Sequence, residues 1–418
     1  MWSRPLPRLA SGVWAALKLL VVGGVVYLGS CASARTILQT APDKLPRDFT
    51  IGDGLPLPPA QARALAESEI YGRIAKPELA AVEAYGQPTM VFDGTATLYQ
   101  HRLALGYPGA EATLDIVTIL PTATPDAPLI VSQNFCPNDA VIPIDGVRRN
   151  SENSMCGSGG VLGSVFTFFF GRHIVTPPLE AIVAQGYGFV AMYPSQVIPD
   201  NAERGQQALD ALFLREADRP GALAVWAALT PVVADALETE FGPRPVIAVG
   251  HSRFGKTALL SAAWFDEIDG AIAHQSGTLG ASDMTDDTGE PLDALLRSYP
   301  HWGNRRLQSF AERPAALPVQ PSDVLAATGG KPVLLGNAKR DTWSDPLGAF
   351  REAKEGWQSA FTAQRPGDFQ PSAVKAFWQR PGTHGVTKED WEAFLAWMSE
   401  QDWKEWRSRE DLNPQPAD

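Results

Sequence analysis

The stretch Gly250-His251-Ser252-Arg253-Phe254-Gly255-Lys256-Thr257 decides how this chain is read. It follows a short apolar run, residues 245–249, and opens an Ala/Leu-rich segment, residues 258–264, with the composition of a helix. Strand, glycine-flanked turn and helix form the junction at which α/β proteins present ligands and nucleophiles. Two chemistries fit these eight residues. One is a serine nucleophile elbow, G-x-S-x-G lengthened by one residue. The other is a phosphate-binding loop, because Gly250, Gly255, Lys256 and Thr257 satisfy G-x-x-x-x-G-K-[ST].

A phosphate loop also needs a downstream magnesium-binding aspartate at the end of a second strand. The nearby apolar-then-acid pattern ends at Asp266, nine residues past Thr257, where no second strand fits. A nucleophile elbow needs triad partners in the order acid, then histidine. Of the six histidines, only His384 lies far downstream, flanked by Gly382 and Gly385 and followed by Thr387-x-x-Asp390, a capping-box-like helix start. For the acid, Asp341 and Asp345 both follow a predicted strand that ends near residue 335. Asp345 precedes Pro346 and a helix, so it has a structural role as N-cap. Asp341 has no such role and is assigned to orient His384, with Asp345 as the alternative acid.

The surrounding pattern agrees. Residues 95–106, 112–120 and 128–135 read as strands bounded by Gly, Pro and Asp. Strand and helix then alternate: helices over 178–185, 221–241 (interrupted at Pro231), 256–264, 346–361 and 387–403, and strands over 188–193, 246–249, 270–273, 331–335 and 375–379. Alternation implies a mostly parallel sheet with right-handed crossovers and an antiparallel edge from the early strands. The expected fold is an α/β-hydrolase: a three-layer sandwich with a mostly parallel central sheet, over residues 91–410, with an irregular cap over 277–327. Residues 35–90, with a helix over 61–74, are expected as an N-terminal arm, and 411–418 as a polar tail. The aromatic run within residues 165–170 reads as a core segment or a platform.

The chain has 418 residues, 44% hydrophobic and 20% charged, with net charge −12. The acidic balance argues against nucleic acid as partner. Arg4 and Arg8 precede an apolar run over 19–28, the pattern of a signal peptide or membrane anchor over residues 1–34. Cys31 stands in a lipoprotein-box context, and Ala32-Ser33-Ala34 fits a cleavage site. The expected location is therefore exported: periplasmic, membrane-anchored as a lipoprotein, or secreted. In an oxidising compartment Cys136 and Cys156 are expected to form a disulfide worth roughly 3 kcal/mol. No metal-ligand spacing is present.

These motifs resemble the glucuronoyl esterases, carbohydrate esterase family 15, of the α/β-hydrolase fold. That family's elbow reads G-C-S-R-x-G-K, and residues 250–256 match it with His251 in place of cysteine. Asp341-x-Trp343-x-Asp345-Pro346, Gly289-Glu290, Pro300-His301-Trp302 and Arg380-x-Gly382-x-His384 are also similar to the family, over roughly residues 90–400. The resemblance implies cleavage of esters of 4-O-methyl-glucuronic acid through an acyl-enzyme, with no cofactor. It further implies Ser252 as nucleophile, His384 as base and Asp341 as acid, with Arg253 stabilising the oxyanion. Lys256 and Glu290 would bind sugar hydroxyls and Trp343 would lie against the sugar ring; Trp302 is a weaker sugar contact that reads rather as core. Two further positions depart from the pattern: Gln275 replaces a glutamate, and Pro137 replaces a glycine in Asn134-Phe135-Cys136-Pro137-Asn138. Gln275 keeps an acetyl-sugar or small aryl esterase open as an alternative, and an inactive glycan-binding lipoprotein is a second.

Overall fold

In the computed structural model, residues 55–149, 156, 170–214, 219–285 and 289–403 are described. The expected export segment with Cys31, most of the aromatic run and the polar tail lie outside them. Among the described residues ten strands form one sheet: β1 (Glu78–Ala84), β2 (Thr89–Val91), β3 (Ala96–Gly106), β4 (Glu111–Pro121), β5 (Leu129–Gln133), β6 (Gly188–Met192), β7 (Val246–His251), β8 (Gly270–His274), β9 (Val333–Ala338) and β10 (Lys375–Arg380). Their order is β1-β3-β4-β6-β5-β7-β8-β9-β10, with β2 on the side of β3. The six strands from β6 to β10 run parallel, and β1 to β4 form the antiparallel edge. Strands β5 to β9 are buried at every position, as expected for parallel strands covered on both faces.

The covering helices are α1 (Pro59–Ala66), α2 (Leu179–Ala184), α3 (Ala202–Leu212), α4 (Ala222–Phe241), α5 (Arg253–Trp264), α6 (Leu292–Ser298), α7 (Pro321–Ala326), α8 (Pro346–Trp357) and α9 (Lys388–Ser399). Two apolar cores result. One packs α4, α5, α7 and α8 through residues such as Trp226, Leu259, Leu325 and Phe350. The other packs α2 and α9 through Ile182, Trp391 and Trp397. This is the α/β-hydrolase architecture expected from the sequence.

Three local expectations need correction. The described part of the expected N-terminal arm supplies α1, a π-helical turn (Glu67–Tyr71), β1 and the start of β2. The Ala/Glu-rich β1 has low strand propensity, and its conformation is imposed by pairing with β3. The helix expected over 61–74 accordingly ends its α portion at Ala66. Helix α4 runs unbroken through Pro231. Proline removes the N–H that would bond the Ala227 carbonyl, and Ser261 Oγ of α5 donates to that carbonyl instead, at 2.8 Å. Helix α3 was not foreseen, although Asn201 caps it by accepting from Arg204 N at 3.0 Å.

Candidate active site

Strand β5 lies between β6 and β7, so the strand order reverses there and opens a crevice at the strands' C-terminal ends. Every proposed reacting group sits on that side. Ser252 follows β7 and precedes α5 at φ 56° and ψ −121°, a left-handed backbone that a side chain adopts only when its surroundings impose it. Its amide donates to the His274 carbonyl at 2.8 Å. A Cβ on Gly250 would lie 2.0 Å from the Phe254 carbonyl oxygen, and one on Gly255 2.7 Å from that of His274. The elbow's glycines are there for close backbone approach.

Strands β9 and β10 end in register, Ala338 opposite Arg380, and Arg340 N donates to Gly382 O at 3.0 Å. This brings the loops that carry Asp341 and His384 together. His384 Nδ1 lies 2.6 Å from Asp341 Oδ2. Asp341 also accepts from Ser344 Oγ at 2.5 Å, Trp343 N at 3.0 Å and Ser344 N at 3.1 Å. Burial pushes its pKa up, but His384 and these donors outweigh burial and hold it below the usual carboxylate range. An ionised Asp341 fixes the proton of His384 on Nδ1 and leaves Nε2 as the basic atom. Asp345 stands at the N-cap position of α8 with φ 38°, and its side chain makes no cap bond. The position is as expected; the capping interaction is not.

The remaining candidates divide. Arg253 pairs with Asp200, and its guanidinium carbon lies 5.2 Å from the ring centroids of Phe135, Tyr299 and Trp302. Asp200 also accepts from Trp302 Nε1 at 2.9 Å. Lys256 is only 4% exposed; its ammonium donates to Ser276 O and lies 5.6 Å from the Trp302 ring. Burial lowers its pKa to about 7, although Glu290 and Asp341 favour the charged form. The Glu290 backbone is fixed beside it, its carbonyl accepting from Thr278 Oγ1 at 2.6 Å. Trp343 is 52% exposed, edge-on to His384 at 5.1 Å and stacked on Phe170. Trp302 follows its core reading: at 3% exposure, stacked on Tyr299 at 4.1 Å, it packs under Arg253 and Lys256.

Other contacts were not legible beforehand. Asp200, which holds Arg253, carried no motif. Gln275, with φ 48°, accepts from Gly385 N at 2.8 Å and so latches the histidine loop. Cys136 and Cys156 form the expected disulfide, tying down the loop after β5. Pro137 begins a single helical turn, Asn138–Val141, where its missing N–H costs nothing.

The fold and the serine on its elbow place the chain in the α/β-hydrolase class. No protein-family model matches the chain. It is 25% identical over 370 residues to a carbohydrate esterase, MZ0003, from an unknown prokaryotic organism, covering 80% of this chain and 82% of that one. A glucuronoyl esterase from Solibacter usitatus superposes with a TM-score of 0.71 at 24% identity, over 86% of this chain and 99% of the other. A promiscuous family-15 carbohydrate esterase from a marine bacterial metagenome gives 0.70 at 21%, over 85% and 98%. A more distant fold relative, the Sporotrichum thermophile glucuronoyl esterase, is solved with methyl 4-O-methyl-β-D-glucopyranuronate; it gives 0.51 at 12%, over 81% and 88%. The resemblance to the glucuronoyl esterases read from the motifs is thus matched by a carbohydrate-esterase relative and by the fold.

Proposed function

We propose that the chain is a serine carboxylic-ester hydrolase acting on uronic-acid esters of carbohydrate, of the kind that joins xylan to lignin alcohols. The observation that carries the reading is the Asp341–His384 pair, whose imidazole packs on the His251 ring next to the strained Ser252. In this reading His384 Nε2 takes the Ser252 proton as Oγ attacks the ester carbonyl, and then delivers it to the leaving alcohol. Water, activated by the same nitrogen, hydrolyses the acyl-enzyme. The tetrahedral oxygen is met by the Arg253 N–H, which has no acceptor within its helix, together with the loop after β5 and the Arg253 guanidinium. A cation beside that oxygen is effective because the site is partly closed to water.

Uronate specificity rests on Lys256 and Glu290, close enough to couple electrostatically and suited to sugar hydroxyls, with exposed Trp343 as a stacking face for the ring. Export through residues 1–34, with Cys31 lipidated or the segment cleaved, belongs to the same proposal, since a polymeric substrate lies outside the cell. The test is a side-by-side assay of a methyl glucuronate ester and an acetylated sugar. Preference for the uronate ester by kcat/KM supports the reading. Preference for the acetyl ester transfers the enzyme to the acetyl-sugar alternative.

A further inference from the structure

Behind the proposed base lies a buried chain of groups that the reaction itself does not use. His251 Nδ1 is 3.1 Å from His274 Nδ1, and His274 Nε2 is 3.4 Å from Asp390 Oδ1. Asp390 is fully buried. It accepts from Arg380 Nε at 2.7 Å, Thr387 N at 2.8 Å and Trp378 Nε1 at 3.0 Å. Arg380 then donates to three carbonyls around the proposed base: Pro381 at 2.9 Å, Thr383 at 3.2 Å and Gly385 at 2.7 Å. The His251 ring itself packs on His384, centroids 4.5 Å apart.

Proton bookkeeping sets the direction of this chain. Although burial opposes charge, His274, Arg380 and the Thr387 N–H keep the Asp390 carboxyl ionised, so the His274 nitrogen facing it, Nε2, carries the proton. His274 Nδ1 is then an acceptor, which requires His251 Nδ1 to be the donor. Burial is the main reason His251 stays neutral. The groups facing it, His384, His274, Arg380 and Lys256, oppose a charge there as well. A neutral ring lies beside His384 in place of a second cation, which would oppose the imidazolium formed in acyl transfer.

We infer that His251 and His274 are positioning residues for His384: they key the nucleophile elbow to the base loop through Asp390 and Arg380. The inference rests on the esterase reading above. It concerns the position at which this chain has histidine and the glucuronoyl esterase elbow has cysteine.

The test uses the whole chain and two readouts, uronate-ester turnover and the rate of covalent labelling by a fluorophosphonate. His251→Phe keeps a ring against His384 but removes the Nδ1–H. The expected result is a kcat lowered by roughly 10- to 100-fold, the scale of a small misplacement of reacting groups. KM should stay within about twofold, and the acid limb of the kcat/KM profile should move. His251→Asn, which retains a donor near the Nδ1 position, should recover most of the loss. If His251→Phe does not fold, His274→Gln serves: it keeps a donor toward Asp390, takes the acceptor away from the ring position that faces His251 Nδ1 and should lower kcat similarly. Variants that label and turn over at the parent rate with an unchanged pH profile overturn the inference. A parent that neither labels nor turns over ester overturns the esterase reading beneath it.

Discussion

Replacing Lys256 by methionine should make the protein more stable at neutral pH and a poorer enzyme. Burial holds this lysine near pKa 7 in the folded chain, whereas an unfolded lysine titrates near 10.4. Between those values the unfolded chain binds a proton that the folded chain does not. Stability contributed at this site therefore falls as pH drops from about 10.4 toward 7, then levels off below it. Over roughly 3 pH units, at about 1.4 kcal/mol each, the penalty at pH 7 comes to about 4 kcal/mol. Local relaxation and water entry reduce such penalties, and methionine forfeits the bond to the Ser276 carbonyl, worth about 1 kcal/mol. The net expectation is a gain of about 2 kcal/mol at pH 7 that vanishes or reverses near pH 10. Urea unfolding of parent and Lys256→Met at both pH values reads this directly. A variant no more stable at pH 7, or a difference that does not shrink toward pH 10, refutes the buried-cation argument. The same variant should turn over uronate ester with a raised KM.

Three further outcomes are expected. Asp200→Asn leaves Arg253 without its counter-charge in the aromatic box and should lower kcat by roughly 10- to 100-fold; combined with Arg253→Lys the losses should not add, and additive losses would show that Asp200 does not act through Arg253. Ser252→Gly should abolish turnover yet stabilise the fold by about 1 kcal/mol, because the left-handed backbone at this position is strained for serine; a less stable variant by thermal melting would contradict the strain. Asp341→Asn should cost on the order of 10³-fold in kcat or more and Asp345→Asn far less, and the reverse ranking in steady-state kinetics would move the acid to Asp345.

What could be read beforehand follows from how local each signal is. The parallel strands announce themselves because full burial demands uninterrupted apolar runs such as residues 246–249. The elbow, the Thr387–Asp390 capping box and the pairing of Asp341 with His384 all rest on short motifs with a mechanical meaning. Strand β1 was missed because its Ala and Glu residues favour helix, and only the partner strand makes it extended. Pro231 misled because the carbonyl it abandons, that of Ala227, finds Ser261, 34 residues away in sequence. Asp200, Gln275 and the His251–His274 pair share that limitation: their roles arise from contacts between loops at the ends of different strands, and no residue spacing encodes them. Trp302 shows the converse, since a motif can mark a position without saying whether the side chain faces ligand or core.

The central claim is that Ser252 attacks the ester carbonyl. The measurement that bears on it most directly is the intact mass of the protein after exposure to a fluorophosphonate, followed by peptide mapping, with Ser252→Ala alongside. One adduct on the peptide carrying Ser252, absent from a folded Ser252→Ala, and ester turnover lost in step with labelling, is the result this account requires. An unlabelled parent that still hydrolyses the ester, or a Ser252→Ala variant with undiminished turnover, would contradict it.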